Sequence, residues 1–202
     1  MNATNHPISV SRRSALRGLR WASYFFLFAG VLAASYAAYI IADTEAFQAV
    51  ALRKFNHSVP LAEPHVPIIG EVIGEIEIPT VAIKAVILHG DSPELLRRGV
   101  GHLPETPMPG EWGNVALAGH RDTFFRSLRQ IRPGDVITLR TTGGAFQYRV
   151  ESIRVVSPMD IGVVASSNRH ELTLVTCFPF DYVGAAPNRF IVRAFEVGPF
   201  SE

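Results

Sequence analysis

Cys177, His120 and Arg189 are the residues whose types suit covalent catalysis. Cys177 is the only cysteine and closes the apolar run LTLVT; His120 follows NVALAG; Arg189 opens RFIVRAFEV. A thiolate is the nucleophilic form, yet a free cysteine is mostly protonated at neutral pH. A nearby imidazole can hold the thiolate as an ion pair, or take and return its proton. Attack on an amide carbonyl creates an oxyanion, and a guanidinium stays charged while donating strongly to it. Cys177 and Arg189 are 12 positions apart, joined by a segment bearing Pro and Gly. If their strands pair antiparallel, both residues fall at one end of a sheet. Spacing alone does not bring His120, 57 positions before Cys177, to the same place.

Each residue also has a plainer reading. A lone Cys can pack as a small hydrophobe. His120 is one of 7 histidines, and Arg189 one of 19 basic residues that usually sit in solvent. Arg121, beside His120, adds little on type alone. Arg193 shares a strand face with Arg189 but would lie about 13 Å further along, so Arg189 is the preferred donor. Asp122 is read as the cap of a helix beginning near Thr123 rather than as a partner for the imidazole. Zinc sites take three or four ligands, and with one Cys no metal or other cofactor is expected.

The elements that would position these residues are mostly short strands. Val72, Ile76 and Ile78 alternate with polar residues, and Pro79-Thr80 turns the chain into Val81–Leu88. Ser92-Pro93-Glu94 starts a short helix that Gly99 ends. Asn114–Gly119 is a strand, Phe124–Arg129 a helical turn or two. Asp135–Thr141 and Phe146–Val156 form a hairpin across Gly143-Gly144. Glu171–Thr176 and Arg189–Val197 complete the set. Many short strands with turn signals predict an all-β barrel or sandwich.

Ahead of them, Trp21–Ile41 is 21 residues without a charge. At helical rise it is about 31 Å long, the thickness of a hydrocarbon core. Arg12, Arg13, Arg17 and Arg20 precede it; Asp43 and Glu45 follow. The positive-inside rule then keeps the N-terminus in the cytoplasm and exports the rest. The organisation expected is a tail (1–20), a transmembrane anchor (21–41), a stalk (42–66) whose first part, Thr44–Phe55, continues the helix before Pro60 and Pro64 break it, and a catalytic domain (67–199). Without the four tail arginines, 15 basic residues face 18 acidic ones, a net charge of −3. Nothing there suits nucleic acid as a partner.

The runs GHLPETPMPGEWGNVALAGHRDTFFRSL and LTLVTCFPFDYVGAAPNRFIVRA together resemble the sortase family, most closely its class D branch. TLVTC is similar to the motif around the family's nucleophile, AGHR to its histidine motif, and NRF to its arginine position. The resemblance implies an eight-stranded β-barrel behind one N-terminal transmembrane helix, and a cysteine transpeptidase. It implies Cys177 as nucleophile, His120 as general acid/base and Arg189 as stabiliser of substrate and oxyanion. The substrates it implies are surface proteins with an LPxTG-like C-terminal signal, cleaved after Thr and passed from a thioacyl intermediate to an amine, a cell-wall peptide or a pilin lysine. Phe178 and Asn188 stand where Tyr and Lys are common. Leu103-Pro104-Glu105-Thr106 looks like such a signal itself, but sits inside the domain and is read as a structural loop.

Three other functions fit parts of the sequence. An exported cysteine peptidase would use the same residues with water as acceptor. A tethered binding barrel would lack one of the three. An L,D-transpeptidase usually carries Cys and His in one motif, whereas here they stand in two.

Overall fold

The computed structural model describes residues 12–57 and 66–198. Contacts divide the chain into two units, 1–45 and 46–202.

The first unit is the helix α1, which runs over Arg12–His57 and so extends into the second. Within it, Gly18–Arg53 is long and apolar enough to cross a membrane, with a mean hydropathy of 2.0 in its best window and none of that window buried by protein. Trp21, Phe25, Phe26, Leu27 and Phe28 are all exposed. A helix apolar on every side, with no protein over it, suits a hydrocarbon surrounding.

The second unit is a closed eight-stranded barrel with the last turns of α1 on its outside. Its strands are β1 (Val72–Ile78), β2 (Ile83–His89), β3 (Val100–His102), β4 (Gly113–Ala118), β5 (Val136–Thr141), β6 (Gly144–Val156), β7 (His170–Phe178) and β8 (Asn188–Glu196). They close in the order β1-β2-β3-β4-β7-β8-β6-β5. Pairing is antiparallel except for β2 with β3 and β4 with β7. A short helix α2 (Pro93–Leu96) begins at Ser92, whose hydroxyl accepts from the Leu95 amide. The expected all-β barrel is thus present, with β3 as a strand that three residues including a glycine gave no pattern to reveal. The period-two alternation puts Ile76, Ile78, Val115, Leu117, Ile137, Leu139, Tyr148, Leu172, Leu174 and Val192 into one interior cluster.

Phe47, Ala51 and Leu52 of α1 pack on Val72, Val86, Leu88 and Leu95. Gln48, within this same unit, adds two bonds: its amide donates to the Arg98 carbonyl, and its side-chain oxygen accepts from the Val86 amide at 3.0 Å. That amide precedes the point at which β2 gains β3 as a neighbour, so the glutamine satisfies an otherwise open strand edge. The segment read as a stalk is therefore helical to His57, and its helical end lies against the barrel; Pro60 and Pro64 fall outside the described residues.

The helical turn or two expected over Phe124–Arg129 is a 3-10 turn over Arg126–Gln130; it has no side-chain cap, so Asp122 is not the cap it was read to be. Its Arg126 amide bonds to the Thr123 carbonyl at 3.1 Å, and the turn before it is closed by the His120 carbonyl, which accepts from the amides of Thr123 (3.4 Å) and Phe125 (3.1 Å). Buried Phe125 and Leu128 then fix the turn on the core.

Leu103–Thr106 runs alongside β4 as part of the fold. The Thr106 hydroxyl donates to the Leu103 carbonyl (2.8 Å) and accepts from the Ala116 amide (3.1 Å). Fully buried His102 has Nε2 at 2.9 Å from the Pro107 carbonyl and Nδ1 at 3.1 Å from Nδ1 of His89. A carbonyl only accepts, so Nε2 carries the proton and Nδ1 of the neutral ring is a lone pair. His89 must then donate. Burial, opposed by the Pro107 bond and aided by His89, holds the His102 pKa below the ordinary imidazole range. A folded-state pKa below the unfolded one means that the unfolded chain binds the proton more readily. Stability is therefore unaffected above about pH 6.5 and falls as pH drops below it, the loss levelling off beneath the folded pKa. Urea midpoints for the soluble domain at pH 7.5 and pH 5 should show that fall, and His102→Gln should shrink it while lowering the midpoint at pH 7.5. An equal fall in the variant would assign the pH dependence elsewhere.

Candidate active site

The site is built by three neighbouring strands. β7 pairs with β8 antiparallel, and in that register Cys177 lies opposite Arg189. β4 pairs with β7 in parallel, with Ala116 opposite Thr173 and Ala118 opposite Val175. Continuing this ladder two residues beyond Ala118 brings His120 level with Cys177. The Gly119 amide donates to the Val175 carbonyl at 3.1 Å, and the Thr176 hydroxyl donates to the Gly119 carbonyl at 2.7 Å, so pairing persists to the edge of the site. With strands about 4.8 Å apart, three side chains 57 and 12 positions apart in sequence become neighbours.

Alternation decides which face they share. Leu172 and Leu174 of β7, Val115 and Leu117 of β4, and Phe190 and Val192 of β8 point into the core. Cys177, His120 and Arg189 have the opposite parity and fall on the outer face at one end of the barrel. All three are half-buried. Nη1 of Arg189 donates to the carbonyls of Asn188 (3.1 Å) and Ala186 (3.4 Å).

Arg193 does something different. It pairs with the buried carboxylate of Glu171, and its Nη2 donates to the Val163 carbonyl at 3.3 Å. Asn114 donates to the carbonyls of Val163 (3.3 Å) and Ala165 (3.1 Å), and accepts from Thr173 at 2.8 Å. Together these outer-face side chains pin the β6–β7 segment, including its 3-10 turn Ile161–Val164, across β4, β7 and β8. Arg193 is thus committed to holding the β6–β7 segment.

Residues around the three were not singled out by type or spacing. Phe178 and Phe180 pack with Phe190 at centroid separations of 5.1–6.2 Å, closing the barrel end beneath the site. Gly119 is required by closeness: a Cβ there would stand 2.7 Å from the Phe125 ring. Arg121 donates to three carbonyls of the β7–β8 loop, at Pro179 (3.0 Å), Tyr182 (2.7 Å) and Gly184 (3.0 Å). Its place in AGHR was the only signal for it. Among the described residues, no group of three or more His, Cys, Asp and Glu is disposed to hold a metal ion.

Comparison with known proteins agrees with this fold. The sortase domain family model matches residues 76–197, the barrel almost entire. Sortase D of Bacillus subtilis is 36% identical over 127 residues, which cover 62% of this chain and 64% of that protein, somewhat under two thirds of its length. The structure of a Clostridium perfringens sortase D5 transpeptidase superposes with a TM-score of 0.64 at 29% identity, over 76% of this chain and 98% of that one. Clostridium perfringens sortase C, solved with a C-terminal cell wall sorting motif, gives 0.60 at 28% identity, over 82% and 97%. The three strand-end residues that point to thiol chemistry thus sit in a barrel shared with enzymes of that name, and the chain belongs to the sortase family.

Proposed function

We propose that this chain is a membrane-anchored cysteine transpeptidase that cuts an LPxTG-like sorting signal after Thr and joins the new carboxyl end to an amine. The observation that carries the proposal is the register of β4, β7 and β8, which lines up His120, Cys177 and Arg189 on one face. The solved likeness of a sortase C with a cell wall sorting motif supports the substrate class.

In this reading the Cys177 thiolate attacks the carbonyl carbon of the Thr residue. The electron pair moves to oxygen, and the Arg189 guanidinium stabilises the oxyanion. As the tetrahedral adduct collapses, His120 gives its proton to the departing amine, leaving a thioester on Cys177. The acceptor amine attacks that thioester, His120 takes its proton, and Cys177 leaves as thiolate. No cofactor takes part. The clients are surface proteins carrying the signal, and the acceptor is a cell-wall peptide amine or a pilin lysine. Arg12, Arg13, Arg17 and Arg20 ahead of the apolar helix argue for a cytoplasmic N-terminus and an external barrel. A hydrolytic variant, with water resolving the thioester, uses the same residues; product analysis with and without added amine separates the two.

Cys177→Ala should abolish cleavage of LPxTG- and LPxTA-type peptides while leaving the fold intact, and His120→Ala should cost roughly 10²–10⁴ in turnover. Substantial cleavage by the Cys177 variant would end the cysteine-enzyme reading. Arg189→Lys keeps the charge but loses the planar fork, and should cost roughly 10²–10³ in turnover. Arg193→Lys should stay within a few-fold in turnover, because Arg193 is engaged with Glu171 and Val163. Equal losses, with folding checked by circular dichroism, would show that the wrong arginine has been assigned. For orientation, a reporter fused after Glu202 should be active only outside the cytoplasm; cytoplasmic activity would reverse the assignment.

A further inference from the structure

The loop 179–187 leaves the strand carrying Cys177 and re-enters the barrel at the strand carrying Arg189. Little in its own backbone holds it. Apart from a turn at Phe180–Asp181, no backbone–backbone hydrogen bond is made by it among the described residues. Burial does not hold its tip either: Val183 is 96% exposed and Tyr182 47%. The side-chain ties are few: near the start of the loop, Phe180 packs on Phe178 and Phe190. Arg129 reaches Asp181 at 3.4 Å in an ion pair open to solvent, a kind of contact worth little. Arg189 reaches Ala186 at 3.4 Å.

Arg121 is the exception. Its Nη1 takes the Pro179 carbonyl, and its Nη2 takes the carbonyls of both Tyr182 and Gly184, at 2.7–3.0 Å. The guanidinium carbon also stands 5.9 Å from the Tyr182 ring centroid. These contacts gather the first six residues of the loop around a single side chain. A rigid guanidinium fork can serve three acceptors at once, whereas an ammonium is a point donor on a flexible stem. The side chain comes from the residue next to His120, so the same stretch of backbone that presents the imidazole also grips the loop between nucleophile and oxyanion donor.

We infer that Arg121 is a positioning residue: by clamping the carbonyls of Pro179, Tyr182 and Gly184 it fixes the β7–β8 loop, and through it the Arg189 guanidinium, relative to Cys177 and His120. Its contribution falls on the transition state rather than on substrate binding. With the clamp gone, the Ala186 carbonyl moves with its loop, and Arg189 keeps its bond to Asn188 but loses the second acceptor that aims it. A displacement of about 1 Å at such a donor is enough for a loss of order 10²-fold.

The kinetic arm of the test rests on the catalytic roles proposed above; a second arm does not. In the full chain, Arg121→Met and Arg121→Lys are compared with the parent in a peptide-cleavage assay and by limited digestion with chymotrypsin, read at Tyr182 in the loop. Arg121→Met should lower kcat by about 10²-fold with KM within a few-fold, and Arg121→Lys should recover only part of that loss. Digestion at Tyr182 should be faster in both variants, while β4, β7 and β8 stay uncut. Unchanged digestion at Tyr182 would overturn the clamp whatever the kinetics. Faster digestion there with unchanged kcat would overturn the positioning role. A parent without peptide-cleavage activity would count against the proposed function, yet the digestion arm would still decide whether Arg121 holds the loop. Should Arg121→Met lose the fold, seen as cuts within β4, β7 and β8, Arg121→Lys carries both readouts.

Discussion

The parallel pairing of β4 with β7, set beside the antiparallel pairing of β7 with β8, is the constraint on which the site depends. Because the side-chain period of a strand is two, a slip of one residue in either ladder would turn the affected side chains to the other face. The register is held by what lies on both faces. Inside, Val115, Leu117, Leu172, Leu174 and Val192 are packed in one cluster. Outside, Asn114, Thr173 and Arg193 are all engaged with one another or with the β6–β7 segment. At the end of the ladder, Thr176 bonds across to Gly119 one residue before His120 and Cys177. The three candidate positions thus lie at the end of a ladder specified from both sides.

The outer face of these strands is polar where an ordinary barrel exterior would be left to water. Glu171, Asn114 and Thr173 are buried there, and each has a partner. Buried polar groups are costly unless satisfied, so this network tolerates few alternative arrangements. It holds the long β6–β7 connection, whose Met159 and Ile161 stand exposed, in a defined place across these strands. The β7–β8 loop is held by Arg121 in place of backbone pairing. Both segments are fixed by side chains that reach across from other parts of the chain, an arrangement that gives loops precision without regular structure.

Much of this was legible in the sequence. The apolar 21-residue run, the alternating strands and the three motif-borne residues were readable because each is a local pattern: a length, a period, or a short string around one residue. The apposition of Cys177 and Arg189 followed once antiparallel pairing was assumed, since a short connection between strands allows little else. The resemblance carried by TLVTC, AGHR and NRF supplied the barrel, which composition and periodicity left open between barrel and sandwich.

Tertiary structure alone decided the rest. His120 comes level with Cys177 only through a parallel pairing of strands 57 positions apart, and a parallel ladder leaves no turn signal between its partners. Arg121 looked inert because its three acceptors lie 58–63 positions away, and backbone carbonyls carry no sequence identity. Asp122 looked like a cap because it precedes a helical pattern, yet the turn there is 3-10 and is closed by a carbonyl. The helical end of α1 was readable as helix but not as docked, because its contacts with Val86 and Leu88 depend on which strand edge the barrel leaves open. Local chemistry and periodicity are written residue by residue, whereas proximity between distant residues follows from register, which exists only once the sheet has closed.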